Sequence, residues 1–168
     1  PPTGWGAVEI LIWDSKNALE NLGHEVQIIN TKNSVDIINQ INSFRPDFVH
    51  VQYDEFIPLL PYIQYPNAIT SHFGYLERKE MFNGYINVAN EFQRVKPNVF
   101  CLSEGIQKVY NIMFDIPKEK TFVTPNGVNI DRFRKTDNPK YSDRSIYLAK
   151  IDYRKRQHMF QSIDSLWY

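Results

Sequence analysis

The chain has 168 residues, of which 42% are hydrophobic, 23% charged and 14% aromatic. This composition excludes a disordered chain and predicts a globular protein with one domain and the start of a second. The 19 basic and 19 acidic residues cancel, so net charge gives no support for nucleic-acid binding. The one cysteine, Cys101, excludes an intramolecular disulfide and a multi-cysteine zinc site. Because no apolar run reaches the ~18 residues of a membrane span and no secretory pattern opens the chain, we expect a cytoplasmic protein.

The first part of the chain alternates helical and β-prone segments. Apolar side chains at three- and four-residue spacing predict a helix over residues 8–22, with Gly23 as the C′ residue just past its end. The run EVQIIN predicts a short strand over 25–30. A second helix is predicted over 35–44, and FVHVQY predicts a strand over 48–53 that is buried on both faces.

The alternation continues as far as the PNGVN segment. AITSHF predicts a strand over 68–73, and a long helix of mixed polarity follows over 77–95. NVFCL predicts a strand over 98–102, and Ser103 is a good N-cap for the helix after it. A short strand over 121–124 leads into PNGVN. Repeated alternation of this kind predicts an α/β fold with a doubly wound, Rossmann-like parallel sheet.

A polar stretch that contains proline, RKTDNPKYS, predicts a linker. We therefore expect an N-terminal domain over 1–133, a linker over 134–142, and the start of a second domain over 143–168. The second domain is predicted to open with a strand over 145–149 and a helix over 155–166.

In doubly wound folds, ligands bind outside the carboxyl ends of the strands and above helix N-termini. His72 lies at such a strand end, where it would contact a ligand or act as a general base; a structural histidine is an equal alternative. Gly4 and Gly6 precede the first helix and would let a phosphate approach the backbone, although the pattern alone favours a tight turn. His50 lies in mid-strand and is expected to be a satisfied core histidine.

Lys150 and Lys155 belong to a basic cluster at a predicted strand end and helix start. The cluster would clamp a diphosphate, but a solvated helix terminus is the interpretation that a charge run alone favours. The stretch 75–96 mixes aromatic and basic residues, and a packed surface helix is favoured there over peripheral membrane contact. No motif for a metal or a resident cofactor is present, and neither is expected.

Six segments resemble, in their order along the chain, the pattern of a known family. They are PTGWGAVEILIWDSKNALENLGHEVQIIN, RPDFVHVQ, TSHFGY, VFCLSEGIQKVY, TFVTPNGVNIDRF and IYLAKIDYRKRQ. The family is that of the retaining GT-B glycosyltransferases of the family 4 type, and the resemblance covers nearly the whole chain. It implies transfer of a sugar from a nucleotide sugar to an acceptor, with retention of configuration, in a cleft between two Rossmann-like domains.

The resemblance also implies roles for particular residues. Gly4 and Gly6 match the loop that approaches the donor diphosphate, and His72 matches the active-site histidine that contacts the donor sugar. Lys150 and Lys155 stand where the family has positive charges, which would neutralise the diphosphate leaving group. The nucleotide sugar is then a co-substrate, and the acceptor is not specified.

Two further matches and three departures concern structure and donor affinity. Asn126 and Gly127 match a segment that leads towards the second domain, and we expect a structural role, with Gly127 in a turn that needs a positive φ. Lys150 keeps the charge of the family's arginine but not its bidentate fork. Arg156 stands where the family has a glycine, and Gln52 replaces the second histidine of the strand motif.

By the same resemblance, a first strand would precede Pro1, and most of the nucleotide-binding domain, with its paired glutamates, would follow Tyr168. We therefore expect a fragment with little or no activity of its own. An unpaired sheet edge and exposed apolar surface would favour a homodimer of this fragment. Two alternatives are a non-catalytic binding or assembly module of Rossmann-like fold and a nucleotide-sugar epimerase of the same architecture.

Overall fold

A computed structural model describes residues 6–72 and 85–132, together with 134, 137, 140, 145–147, 155–160, 162 and 165–167. The chain divides into two compact units, Pro1–Val128 and Asn129–Tyr168. Among the described residues, no helix combines the length and the apolar character that crossing a membrane requires.

The N-terminal unit is an α/β structure built on parallel strands. Its helices are α1 (Ala7–Asn21), α2 (Ser34–Phe44), α3 (Tyr85–Val95) and α4 (Glu104–Met113), with 3₁₀ helices at Asp54–Tyr62 and Lys118–Lys120. Its strands are β1 (Val49–Val51), β2 (Asn67–Thr70), β3 (Val99–Cys101) and β4 (Thr121–Val123). The strands form one sheet in the order β1-β2-β3-β4, and every neighbouring pair is parallel. The predicted parallel α/β architecture is confirmed at this level, which is compatible with a Rossmann-like fold.

Local sequence signals account for the helix ends. Asn33 caps α2, because its side-chain oxygen accepts from the backbone amides of Val35 and Asp36. The predicted cap at Ser103 is confirmed, since its hydroxyl accepts from the amide of Ile106. Gly23 follows α1 with φ +91°, which confirms the predicted C′ residue.

The predicted strand over 25–30 is wrong, because these residues form no regular secondary structure. Their β propensity is real, but a strand needs a neighbour to accept its hydrogen bonds, and none of the described strands pairs with this segment. It is held instead by side chains: Ile29 packs against the core, and Gln27 bonds to Gln40 of α2. Of the predicted helix over 77–95, residues 77–84 lie outside the described part of the chain.

The C-terminal unit holds two short parallel strands, β5 (Ser145–Tyr147) and β6 (Ser165–Trp167), with a four-residue 3₁₀ helix at Gln157–Phe160. The predicted helix over 155–166 is therefore wrong. Arg156 adopts φ 57°, a left-handed conformation that an α-helix cannot continue through. The β-prone end of the segment pairs with β5 instead.

The core of the N-terminal unit lies against one face of the sheet. Ile69, Val99 and Cys101 alternate inward from β2 and β3, and none of the three is exposed. Phe92 of α3 stacks on Phe114 with ring centroids 5.4 Å apart. The opposite face carries an aromatic row of Phe48, Phe100 and Phe122, whose consecutive centroids are each 6.0 Å apart.

Candidate functional site

An open cavity of about 260 Å³ lies at the carboxyl ends of the strands of the N-terminal sheet. Each strand contributes a residue from its end or from just beyond it: Gln52 after β1, His72 after β2, Leu102 after β3 and Thr124 after β4. Helix α1 closes one side with Leu11, Ile12 and Ser15. This is the edge at which parallel α/β sheets bind ligands.

A chain of hydrogen bonds runs along the floor of the cavity from β2 to β1 and back. His50 Nε2 lies 2.7 Å from Thr70 Oγ1, and His50 Nδ1 lies 3.0 Å from Gln52 Nε2. The other end of the same amide, Gln52 Oε1, lies 2.8 Å from His72 Nε2. We call these four residues the open network. Gln52 joins the two histidines through a single side chain.

The cavity carries no formal charge on its described lining residues at neutral pH. Desolvation lowers the pKa of His50 to about 4, with a further contribution from repulsion by His72. Desolvation also lowers the pKa of His72. His50 as a whole is the most exposed residue of β1, but its ring is partly desolvated, since Phe100 packs edge-on against it at 5.0 Å and its bond to Thr70 is partly buried. The expectation of a satisfied core histidine is therefore wrong in its placement, since His50 lines the cavity, and confirmed in its hydrogen bonding, since both ring nitrogens have partners.

A second polar cluster, the closed cluster, lies on the core side of the same two strand ends. It consists of Asp54, Ser71 and Tyr110, and all three residues are buried. Ser71 Oγ donates to Asp54 Oδ2 at 2.9 Å. Asp54 Oδ1 finds no hydrogen-bond partner among the described residues. The Tyr110 hydroxyl makes no hydrogen bond of ordinary length with the described residues, although it interacts with Ser71 and Asp54. Desolvation raises the pKa of Asp54 to about 7, and the bond from Ser71 offsets part of that rise.

The predicted anion site before α1 contains a carboxylate of its own. Gly6 is the N-cap of α1, and a Cβ placed on it would lie 2.7 Å from Glu9 Oε2. Glu9 also accepts a hydrogen bond of 2.8 Å from the Tyr53 hydroxyl. Backbone hydrogen bonding at Glu9, followed by the bond from Tyr53, lowers the pKa of this carboxyl. The Glu9 carboxylate thus already interacts with the positive N-terminal end of helix α1. The other predicted glycine, Gly4, lies outside the described residues.

The other predicted site residues fall in different places. His72, Asn126 and Gly127 all line the cavity. The predicted positive φ at Gly127 is wrong, since Gly23 is the glycine that adopts one among the described residues. A Cβ on Gly127 would meet no atom within 4 Å, so glycine there leaves the cavity wall open.

Both predicted lysines belong to the C-terminal unit, whereas the cavity is formed by the N-terminal unit. Lys150 lies outside the described residues. Lys155 is an exposed residue of the C-terminal unit.

Sequence reasoning missed the parts played by His50, Gln52 and Asp54. The signal for the first two was present, since residues two apart in extended chain share a face, and the run HVQ at the end of β1 therefore places His50 and Gln52 on the same side. The segment that follows β1 carried no comparable signal for Asp54.

Among the described residues, no group of three or more histidine, cysteine, aspartate or glutamate side chains is placed to hold a metal ion. Comparison of the chain with protein-family models, with curated proteins and with solved structures gave no match. The chemistry of the cavity is therefore inferred from its own residues.

Proposed function

We propose that this chain is the N-terminal, acceptor-side part of a retaining glycosyltransferase of the GT-B type, with a doubly wound, Rossmann-like sheet. The observation that carries the proposal is the cavity: uncharged, rich in hydrogen-bonding groups, and placed at the carboxyl ends of parallel strands with His72 in its wall. The ordered sequence resemblance supports the same assignment.

The lining of the cavity suits a sugar better than an anion. A sugar ring presents hydroxyl groups at its rim and C–H bonds on its faces, so it needs polar partners beside an apolar surface. The polar partners are His50, Gln52, His72 and Asn126. The apolar surface comes from Leu11, Ile12, Phe100 and Leu102. A phosphate would find no cationic side chain on the described lining.

The proposed reaction breaks the bond between the anomeric carbon and the diphosphate of a nucleotide sugar and forms a bond to an acceptor oxygen on the same face of the ring, while the proton of the acceptor hydroxyl passes to the departing diphosphate. His72 would hold a hydroxyl of the transferred sugar, while Lys150 and Lys155 would neutralise the departing diphosphate. The proposal gives Gly6 a smaller part, because the Glu9 carboxylate at that helix end would repel a diphosphate.

Binding to the 168-residue chain provides the first test. Saturation-transfer NMR with a panel of nucleotide sugars and the corresponding free sugars is expected to show contact with the sugar ring protons. His72→Ala should abolish that contact. His24→Ala is the matched control, because His24 lies in the exposed turn after α1, and it should bind as the wild type does.

Activity of the complete protein that contains this chain provides the second test. We expect sugar transfer with retention, and a loss of roughly 100-fold or more in His72→Ala. Sugar contact in no member of the panel, or full activity in His72→Ala, would overturn the proposal. Turnover of a nucleotide sugar without an acceptor would show that the protein is an epimerase instead. Sugar contact without any turnover in the complete protein would show that it is a binding module.

A further inference from the structure

The amide of Gln52 is the only group that contacts both cavity histidines among the described hydrogen bonds of the open network. An amide is polar in a fixed sense: its nitrogen only donates, and its oxygen only accepts. A neutral imidazole is also polar, with one nitrogen that donates and one that accepts. The orientation of one amide therefore decides which nitrogen carries the proton in each ring.

The donors and acceptors can be followed from Gln52 outwards. Its Nε2 donates to His50 Nδ1, so the proton of His50 must be on Nε2, which donates in turn to Thr70 Oγ1 at 2.7 Å. Its Oε1 accepts from His72 Nε2, so the proton of His72 is also on Nε2. The Nδ1 of His72 is then an unprotonated nitrogen in the wall of the cavity.

The reverse amide orientation is less favourable on chemical grounds. It would place the oxygen against His50 Nδ1 and the nitrogen against His72 Nε2, and each ring would have to carry its proton on Nδ1. That is the minor tautomer of a neutral imidazole in water, and it would be required twice. The orientation assigned in the structure places both rings in the major form.

We propose that Gln52 is a positioning residue that fixes the tautomers of both histidines, so that His72 offers the cavity a hydrogen-bond acceptor at Nδ1. An acceptor at this point selects a ligand hydroxyl, which can donate, over a phosphoryl oxygen, which cannot. This last step rests on the proposed function, whereas the tautomers themselves are properties of the ligand-free protein.

The test is nitrogen-15 NMR of the ligand-free 168-residue chain, at a pH above the titration of both rings. Two-bond correlations distinguish protonated from unprotonated ring nitrogens, and His24 serves as an exposed internal reference. In the wild type we expect both His50 and His72 to carry the proton on Nε2.

Two substitutions at Gln52 should move the two histidines separately. Gln52→Glu leaves only acceptors, so His50 should move its proton to Nδ1 while His72 is unchanged. Gln52→Lys leaves only donors, so His72 should move its proton to Nδ1 while His50 is unchanged. Gln52→Leu removes both bonds and should return both rings to the mixture of an exposed histidine.

This pair of variants distinguishes positioning from a general structural role, because a loss of packing would affect both rings alike. Observation of Nδ1–H in either wild-type ring, or the same tautomers in the Glu and Lys variants, would overturn the proposal. Amide spectra of each variant confirm the fold, and either charged variant alone still tests one ring. If the tautomers respond as expected but no sugar binds, the proposed function fails while this assignment stands.

Discussion

The open network and the closed cluster share the same two strand ends, with Tyr110 of α4 added to the closed cluster, yet their polar side chains are satisfied in opposite ways. Beyond β2, Ser71 points into the core and the next residue, His72, points into the cavity. Beyond β1, Gln52 joins the network and Asp54 joins the cluster. In the open network, Gln52 has a partner at each end of its amide; in the closed cluster, one oxygen of Asp54 has none among the described residues.

The difference shows where a polar side chain that lacks a hydrogen-bond partner costs the most free energy. Water can replace a lost partner in a cavity that is open to solvent, whereas a buried group that loses its partner bears its full desolvation cost. Substitutions in the closed cluster should therefore change stability. Substitutions in the open network should change ligand chemistry and leave stability nearly untouched.

The largest effect is expected from Asp54→Asn, and it should depend on pH. The pKa of Asp54 is raised from 3.8 to about 7 in the folded protein, so the folded state binds more protons between these values. The contribution of Asp54 to the free energy of unfolding of the wild-type protein therefore falls as pH rises from about 4 to about 7, and it is constant above that. Asparagine does not titrate, so its stability relative to the wild type should grow by about 2–4 kcal/mol over this window.

The measurement is urea unfolding of both proteins at a series of pH values. The comparison must be a difference, because the lowered pKa of His50 acts in the opposite direction: its contribution is lost as pH falls from about 6.5 towards about 4. A difference that stays constant across the window would show that Asp54 titrates normally.

Ser71→Ala should come next. The variant leaves the Asp54 carboxyl without a hydrogen-bond partner among the described residues, and we expect a loss of about 1–2 kcal/mol in the free energy of unfolding at neutral pH. Ser15→Ala is the matched control, since Ser15 is exposed on the cavity side of α1 and should change stability little. Equal stability of the two variants would remove the distinction between closed and open sites.

Tyr110→Phe should stabilise the protein by about 1 kcal/mol or less, because it removes a buried hydroxyl that makes no hydrogen bond of ordinary length with the described residues and has only a weaker interaction with Ser71. The ring contacts with Phe92 at 4.9 Å and Phe114 at 5.6 Å would be kept. Tyr62→Phe is the control, since Tyr62 is 71% exposed and should show no change. Thermal unfolding of the two variants checks this prediction, and a loss of stability in Tyr110→Phe alone would show that the hydroxyl is well paired.

The smallest effect is expected in the open network. Gln52→Leu should change the free energy of unfolding by less than about 0.5 kcal/mol, because the cavity is open to solvent and water can take the place of the lost amide. Urea unfolding beside Ser71→Ala provides the measurement. If Gln52→Leu is as destabilising as Ser71→Ala, water does not replace the hydrogen bonds that the Gln52 amide makes in the cavity.

Much of the N-terminal unit could be predicted because its signals are local. Helix α1 follows from apolar spacing and Gly23, and α4 from the cap at Ser103. Residues 25–30 have the same β-prone character as β1, but local propensity does not supply a neighbouring strand. The helix predicted over 155–166 was wrong for a related reason, since the pairing of β6 with β5 outweighs the helical pattern of the segment.

The candidate site was predictable only in part, for reasons of distance along the chain. The position of His72 at a strand end indicates that it faces a ligand site, and alternation along the strand would have added His50 and Gln52. The burial of Asp54 depends on Ser71 and on Tyr110 of α4, and no local pattern joins residues so far apart in the sequence.

Cys101 lies on β3, an inner strand of the described sheet, with none of its side chain exposed. Burial raises the pKa of its thiol to about 11, so the folded protein holds it in the unreactive, protonated form. Since the chain has only this one cysteine, every alkylation event records an opening of the sheet at β3. The rate of alkylation therefore measures how often this part of the sheet opens, and mass spectrometry can follow it without an engineered probe.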